Sequence, residues 1–146
     1  MYQIEQELRY AVMQSGKLII ELAEMCGADK STLSRFRKGG DLGWGKSAVL
    51  LCKFGRTIEP GGKSPLEIRD AIKEAALTMS ETNDPRDTGV TALARKMAIS
   101  GSDIQSCRYA INRFLSGSNT GVRKVAEIAQ AAGIVIAERR PAHSSK

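Results

Sequence analysis

An internal repeat constrains this chain more than any other feature of its sequence. Residues 35–58 recur without a gap 78 positions later, as residues 113–136. Eight of these 24 positions are identical, whereas unrelated segments of this length share about one or two. The identities in the first copy are Arg35, Phe36, Gly39, Gly43, Lys46, Ala48, Gly55 and Ile58. We therefore predict two related domains, 1–62 and 63–146, with convergence of two generic helical segments as the alternative.

Helices are the favoured secondary structure in both domains. Aromatic residues make up only 5% of the chain, and a long buried sheet would draw on more of them. Apolar residues recur at helical spacing, and glycines follow most of these segments. The predicted helices cover residues 4–15, 19–26, 30–38, 44–54, 64–79, 90–98, 102–115 and 122–132. We predict an all-α fold with a short C-terminal β element.

Two short segments fall outside the helical pattern. Residues 56–63 contain Pro60, Gly61 and Gly62, and they are predicted to be the linker between the domains. Residues 134–136 are a β-branched run and are predicted to form a short strand. Its partner is either the repeat counterpart around Ile58 or another chain, unless the strand simply completes its own core.

The charge of the chain favours a polyanionic partner. Lys and Arg outnumber Asp and Glu by 22 to 16, and the excess is divided evenly: 10 against 7 in residues 1–63, and 12 against 9 in residues 64–146.

The three cysteines lack C-x-x-C spacing and are predicted to be buried thiols of a reducing compartment. Because no apolar run is long enough for a membrane span, we expect a cytoplasmic, nucleoid-associated protein without membrane contact.

Residues 22–38 carry the spacing of two helices joined by a tight turn. Ala23 is small where the second helix crosses, and Gly27 falls at the turn. Leu33 and Phe36 would hold the second helix on the core. Its exposed face would then carry Lys30, Ser31, Ser34, Arg35, Arg37 and Lys38. Such hydrogen-bonding groups and cations are typical of a helix that enters the DNA major groove. A solvated basic face on a helical bundle is the alternative.

Residues 4–58 resemble the helical DNA-binding domain of the phage repressor and Cro (XRE) superfamily. The resemblance rests on "GADKSTLSRFRKG" followed by "DLGWGKSAVLLCKFG", and "DKSTLSRF" is also similar to the phage lambda-type lysogeny activators. Residues 90–136 resemble the same superfamily, particularly the antidote proteins of addiction modules. The resemblance implies two tandem lambda-repressor-like helix-turn-helix domains, of a kind that binds operators as dimers. It places base contacts at Lys30, Ser31, Ser34 and Arg35.

The second copy departs from this pattern. The pair Arg113-Phe114 follows Leu93-Ala94 seven residues later than expected, which indicates two added turns of helix. The inner face is predicted to carry Ile104, Cys107, Ile111 and Phe114. The candidate base contacts are Ser102, Gln105, Ser106 and Tyr109. Because this outer face is less basic than the first, recognition of DNA shape, backbone contact and dimerisation are alternative roles for it.

Predicted phosphate contacts surround both candidate reading helices. In the first copy they fall on Arg37, Lys38, Gly45 and Lys46, and in the second on Asn112, Arg113, Arg123 and Lys124. Gly45 and Lys46 are included because backbone N–H groups at a helix N-terminus attract phosphate. The basic tail after residue 138 either adds such contacts or is a passive solubilising end.

Residues 40–47 match the nucleotide-binding P-loop pattern G-x-x-x-x-G-K-[ST] letter for letter. A P-loop needs a strand before its glycines, whereas here a basic helix is predicted. The single histidine, His143, lies in the tail, so a histidine-based triad or metal site has no members. Asp84 and Asp87 are predicted turn residues, and Tyr109 alone does not indicate strand cleavage. We predict no enzyme activity, no catalytic residue, no metal and no cofactor.

The sequence therefore predicts a sequence-specific double-stranded DNA-binding transcriptional regulator, in the form of a repressor. Two tandem helix-turn-helix domains would read a two-half-site operator, either within one chain or in a homodimer. Two other functions stay open. One is the antitoxin of an addiction module, which binds both its toxin and its own promoter. The other is a helix-turn-helix module that binds a protein partner such as polymerase.

Overall fold

The computed structural model describes residues 2–98 and 103–138, which form eight α-helices and one two-stranded sheet. The helices are α1 (Gln3–Ser15), α2 (Ile19–Cys26), α3 (Lys30–Arg37), α4 (Trp44–Lys53), α5 (Ile68–Thr78), α6 (Val90–Ala98), α7 (Ile104–Leu115) and α8 (Val122–Ala131). The strands are β1 (Arg56–Glu59) and β2 (Val135–Glu138). Ser102, His143 and the predicted basic tail lie outside the described residues.

The order of elements repeats along the chain. Four helices precede β1, and four more precede β2. The predicted bounds of α2 and α6 are confirmed to the residue, and the fold is mostly helical as predicted. A capping box opens the second set: Ser64 Oγ accepts from Leu66 N–H, and Glu67 reaches back to Ser64 N–H, before a short 3-10 turn leads into α5. We call residues 2–59 the first unit and residues 64–138 the second unit.

Residues 56–63 form more than the predicted linker. Their first half is β1, which pairs antiparallel with β2 and places Ile58 opposite Ile136. Pro60–Gly62 make the turn that follows, and Ile58 N–H donates to Lys63 C=O at 2.8 Å. Ile58 is only 1% exposed, so burial of a β-branched side chain outweighs the turn signals beside it. The predicted C-terminal strand is confirmed, and its partner is its own repeat counterpart.

Repeat partners also meet at a second place. Gly43 bridges to Gly121, which is the residue 78 positions later, just as Ile136 is for Ile58. Two reciprocal hydrogen bonds of 2.7 Å join the flanking residues: Trp44 N–H to Thr120 C=O, and Val122 N–H to Leu42 C=O. Because equivalent residues contact each other at both places, a local two-fold axis relates the two units.

The two units share one hydrophobic core. Buried residues from both units belong to a single contiguous cluster. The first helix of the first unit, α1, packs against α8, and the 3-10 turn that leads into α5 packs against α4. Leu42 and Trp44, from the segment between α3 and α4 and the start of α4, are each 2% exposed and belong to this core. Each unit therefore depends on the other for part of its core.

The turn between α2 and α3 follows the sequence prediction. Gly27 ends α2 with φ of 72°, in the left-handed region that favours glycine. Asp29 is the N-cap residue of α3, although its side chain makes no capping hydrogen bond. Leu33 and Phe36 are 0% and 1% exposed, as predicted.

The extra residues of the second unit are placed differently from the prediction. α7 has 12 residues and α3 has 8, so the helix gains one turn rather than two. Three of the seven extra residues remain. One makes α6 longer than α2, and two make the segment between α6 and α7 longer than the segment between α2 and α3. Ile104 is 41% exposed, so its predicted inward position is wrong. It occupies the first turn of α7, beyond the buried stripe of Cys107, Ile111 and Phe114.

The cysteines are thiols of unequal burial. Cys107 is buried as predicted, but Cys26 and Cys52 are only half-buried. Burial raises the pKa of the Cys26 thiol. Across the described ranges, no helix has the length and apolarity to cross a bilayer, and no group of metal-ligating side chains comes together.

Candidate nucleic-acid interface

One face of α3 is exposed and basic. Lys30, Ser31 and Arg35 are exposed along it, and Ser34 is half-buried. Arg37 and Lys38 continue the exposed face past the end of the helix. The opposite face carries the buried Leu33 and Phe36. The amphipathic pattern of this helix therefore determines which side chains are exposed to solvent.

The cations of this face have no acidic partners. Among the described residues, the ion pairs involve other side chains, and none includes Lys30, Arg35, Arg37 or Lys38. Arg35 and Arg37 also lie in the last turn of α3, where the helix dipole favours positive charge. Four uncompensated positive charges therefore lie along about 12 Å of helix, at 1.5 Å per residue.

Arg9 of α1 fixes the C-terminal end of α3. Its guanidinium stacks over the Phe36 ring, 4.2 Å from the centroid. It also donates to the backbone carbonyls of Phe36 and Gly40. Phe36 C=O also accepts from Gly39 N–H at 3.0 Å, so Arg9 adds a second donor there and supplies a side-chain donor to Gly40 C=O.

Arg69 of α5 makes the same arrangement at the end of α7. Its guanidinium lies 4.5 Å from the Phe114 ring centroid and donates to the carbonyls of Phe114 at 2.7 Å and Ser118 at 3.0 Å. These carbonyls are the repeat equivalents of those that Arg9 contacts. Sequence comparison missed both arginines, because three residues join α1 to α2 and eleven join α5 to α6. A gapless repeat cannot align helices across such unequal loops.

The exposed face of α7 is polar and mostly uncharged. Gln105, Ser106, Tyr109, Asn112 and Arg113 are all exposed on it, as predicted. Two contacts within the helix organise the face. Tyr109 OH accepts from Arg113 Nη1 at 3.1 Å, and Ser106 N–H donates to Asp103, the N-cap residue, at 3.0 Å. The positive charge of Arg113 is thereby held against the ring of Tyr109.

Arg108 lies at the edge of this face and was not among the predicted contacts. Its Nη1 donates to Gln105 Oε1 at 3.4 Å, and its buried Nε has no acceptor among the described residues. It lines an open cavity of about 620 Å³ together with Asn112 and the loop that precedes α6. In that loop Asp84 pairs with Arg86, and Asp87 accepts from Gly89 N–H and from Thr82. Both acids are turn residues, as predicted, and these hydrogen bonds lower their pKa values.

Arg123, a predicted phosphate contact, has partners inside the protein. It pairs with Glu5 of α1 at 3.1 Å and donates to Gly39 C=O at 2.8 Å. Burial raises the pKa of the Glu5 carboxyl, but hydrogen bonds from Arg123 and Arg9 outweigh burial and bring the pKa below its ordinary value. Arg123 therefore joins the second unit to the end of α3.

The N-termini of α4 and α8 differ although they are repeat equivalents. The Asp41 carboxylate accepts from Arg123 N–H at 3.1 Å, so an acidic group of the first unit already occupies the N-terminus of α8. Lys124 pairs with Glu127 at 2.8 Å. At α4, Gly45 is exposed beside the half-buried Lys46, and neither side chain nor backbone there contacts an acid among the described residues. Of the two predicted phosphate sites, the one on α4 is the more open.

The surroundings of the P-loop match are helical. Gly40 lies three positions after the end of α3 at Arg37, and α4 begins at Trp44. In the described part of the chain, the only sheet is the antiparallel pair of β1 and β2. The strand that precedes the glycines of a nucleotide-binding loop is therefore replaced here by α3.

Comparison with known proteins gives no match to a family model, to a curated protein or to a solved structure. The function of this surface therefore has to be inferred from its geometry and charge.

Proposed function

We propose that the chain is a sequence-specific double-stranded DNA-binding protein that represses transcription at the nucleoid. In this proposal α2 with α3, and α6 with α7, are the helix-turn-helix pairs of two tandem lambda-repressor-like domains. α3 and α7 enter the major groove at the two half-sites of one operator. Where the operator overlaps a promoter, the bound protein then blocks access of polymerase to that promoter.

The observation that carries the proposal is the uncompensated basic face of α3. Lysines and arginines without acidic partners bind phosphates and release the counterions that surround DNA. Arg9 holds the end of α3 on the core, and Arg69 does the same for α7. A face kept only for solubility needs no such anchoring, whereas a helix that reads base edges must be held in position.

Salt dependence of DNA binding tests the proposal. We expect random-sequence duplexes to bind in low salt, with an affinity that falls steeply as salt rises. Replacement of Arg37 and Lys38 together by alanine is expected to reduce the slope of log K against log salt by about two. Fluorescence anisotropy of a labelled duplex measures this slope.

A matched control separates local contact from total charge. The double variant Lys53→Ala/Lys73→Ala also removes two exposed cations, but from α4 and α5 rather than from α3 or α7. Because neither lysine belongs to α3 or α7, this variant is expected to keep the slope of the parent. Failure to bind any duplex at low salt would contradict DNA binding and favour the protein-binding module. Neutralisation of a neighbouring toxin would favour the antitoxin.

A further inference from the structure

We infer that one chain binds one operator, whose two half-sites are inverted, one helical turn apart and different in base preference. α3 selects guanine in its half-site, and α7 selects adenine in the other. This inference rests on the proposed function and specifies the DNA that the same surface takes.

The inverted order follows from the local two-fold axis. Ile58 lies opposite Ile136 and Gly43 opposite Gly121, each pair being equivalent residues of the repeat. A two-fold axis reverses direction, so α3 and α7 meet a duplex in opposite senses. A duplex also has two-fold axes, and both helices reach equivalent groove positions when the two axes coincide. Half-sites repeated in the same direction do not fit this arrangement.

The spacing follows from the length of chain between each helix and the axis. Gly43 follows Lys38 by five positions, and Gly121 follows Ser116 by the same number. Such a segment spans at most about 17 Å, so the C-terminal ends of the two helices lie within about 40 Å of each other. Major grooves on one face of DNA recur about every 34 Å. Adjacent grooves therefore fit, and grooves about 68 Å apart do not.

The base preferences follow from the different side chains of the two faces. On α3, Lys30 and Arg35 are exposed cations without acidic partners, and such groups pair with the two acceptors of guanine. On α7, the amides of Gln105 and Asn112 are exposed, and amides pair with the donor and acceptor of adenine. Two cations lie beside these amides: Arg108 donates to Gln105 Oε1 at 3.4 Å, and Arg113 donates to Tyr109 OH at 3.1 Å.

A single chain suffices because the strand edges near the two-fold axis already form hydrogen bonds within the chain. β1 and β2 use one edge of each strand for each other. On the outer edges, Lys63 C=O accepts from Ile58 N–H, and the Gln3 side chain makes both backbone hydrogen bonds of Ile136, at 2.7 and 2.9 Å. Of the four backbone N–H and C=O groups of Ile58 and Ile136, three are thereby used within the chain, which leaves little edge at these positions for a second copy.

The test combines selection of DNA with the mass of the complex. Duplexes selected from a random pool by the full chain are sequenced, and the molar mass of the complex is measured by light scattering. We expect one chain per duplex and two unlike inverted half-sites. Arg35→Ala is expected to lose at least about tenfold preference for guanine in one half only, and Gln105→Ala the same for adenine in the other half. Lys53→Ala serves as the control and is expected to select the parental sequence.

Each contrary outcome has its own meaning. Selected sites that are perfect palindromes, direct repeats or two turns apart would overturn the inference while DNA binding stands. Two chains per duplex would do the same. If the pool yields no preferred sequence and no duplex is retained at low salt, the proposed function itself fails.

Discussion

Glu5 places a carboxylate at the junction of the two units. The side chain is 1% exposed and contacts Arg9 of its own helix at 3.0 Å and Arg123 of the second unit at 3.1 Å. Arg123 in turn donates to Gly39 C=O, and Arg9 to Gly40 C=O. A buried carboxylate of this kind is tolerated only when its charge is matched by such donors. The acidic group therefore links the end of α3 to both units.

Acid is expected to weaken this link. Because the pKa of Glu5 is lowered in the folded chain, its contribution is present above the ordinary glutamate pKa and is lost as pH falls through the folded-state pKa. Glu5→Gln is expected to lower the free energy of unfolding at pH 7 by about 1–3 kcal/mol, with partial exposure of both arginines limiting the loss. Urea unfolding between pH 7 and pH 3 measures this effect.

The difference between parent and variant is expected to shrink as the pH falls through this range. Glu24→Gln, at an exposed position of α2 without an ion pair among the described residues, is the control and is expected to follow the parent. A constant difference between Glu5→Gln and the parent at every pH would contradict a charged role for Glu5.

At the scale of elements, most helices could be predicted from sequence because their signals are local. Apolar spacing and terminal glycines suffice for α2 and α6, whose bounds were predicted to the residue. β1 was predicted only as one possible partner of the C-terminal strand, inside a segment predicted to be a linker, because it forms only when β2, about 80 residues later in the chain, is beside it. The ion pair of Arg123 could not be predicted for the same reason, because its partner Glu5 is in the other unit and no local pattern connects the two residues.

The exposed faces of α3 and α7 were predictable for the same local reason. Amphipathic spacing fixes which side chains each helix presents, although it failed for Ile104 at the first turn of α7. The arginines that hold these helices were not predictable. Arg9 and Arg69 have equivalent roles only after folding brings Arg9 to the end of α3 and Arg69 to the end of α7.

Two glycines at element boundaries are expected to respond very differently to substitution. Gly89 precedes α6 with φ of 81°, and an added Cβ would lie 1.5 Å from Ala76 C=O. Gly16 ends α1 with φ of 64°, but a Cβ there meets nothing within 4 Å. Gly16→Ala is expected to cost about 1 kcal/mol for its backbone conformation alone, and Gly89→Ala more than about 3 kcal/mol because backbone must also move. Urea denaturation compares the two, and equal losses would contradict this account of α6.

At the scale of the whole molecule, the shared core determines what can fold alone. α1 packs against α8, and β1 pairs with β2, so either unit alone would expose part of the core cluster. Domains of about 60 residues are already marginal because they bury little surface. The sequence therefore contains two related units, but both units pack around one hydrophobic core.

Separate production of residues 1–62 and 63–146 tests this view. Each piece is expected to lack a cooperative thermal transition by circular dichroism, since it loses the partner of one strand and one helix. Mixing the two pieces is expected to restore a cooperative transition. A pair of Ile58→Ala and Ile136→Ala variants, each about 2–4 kcal/mol less stable for its lost buried side chain, is expected to weaken the mixed complex. Cooperative unfolding of either piece alone would contradict a shared core.

The local two-fold axis also has a consequence for dilution. A regulator assembled from two identical chains loses its active form as its concentration falls, because two molecules must meet. Here the two related faces are tethered in one polypeptide, so their pairing is intramolecular. Every folded molecule therefore presents both faces even when only a few copies are present. Under the proposed function, the fraction of operator occupied would rise in proportion to the number of molecules while most operators are free.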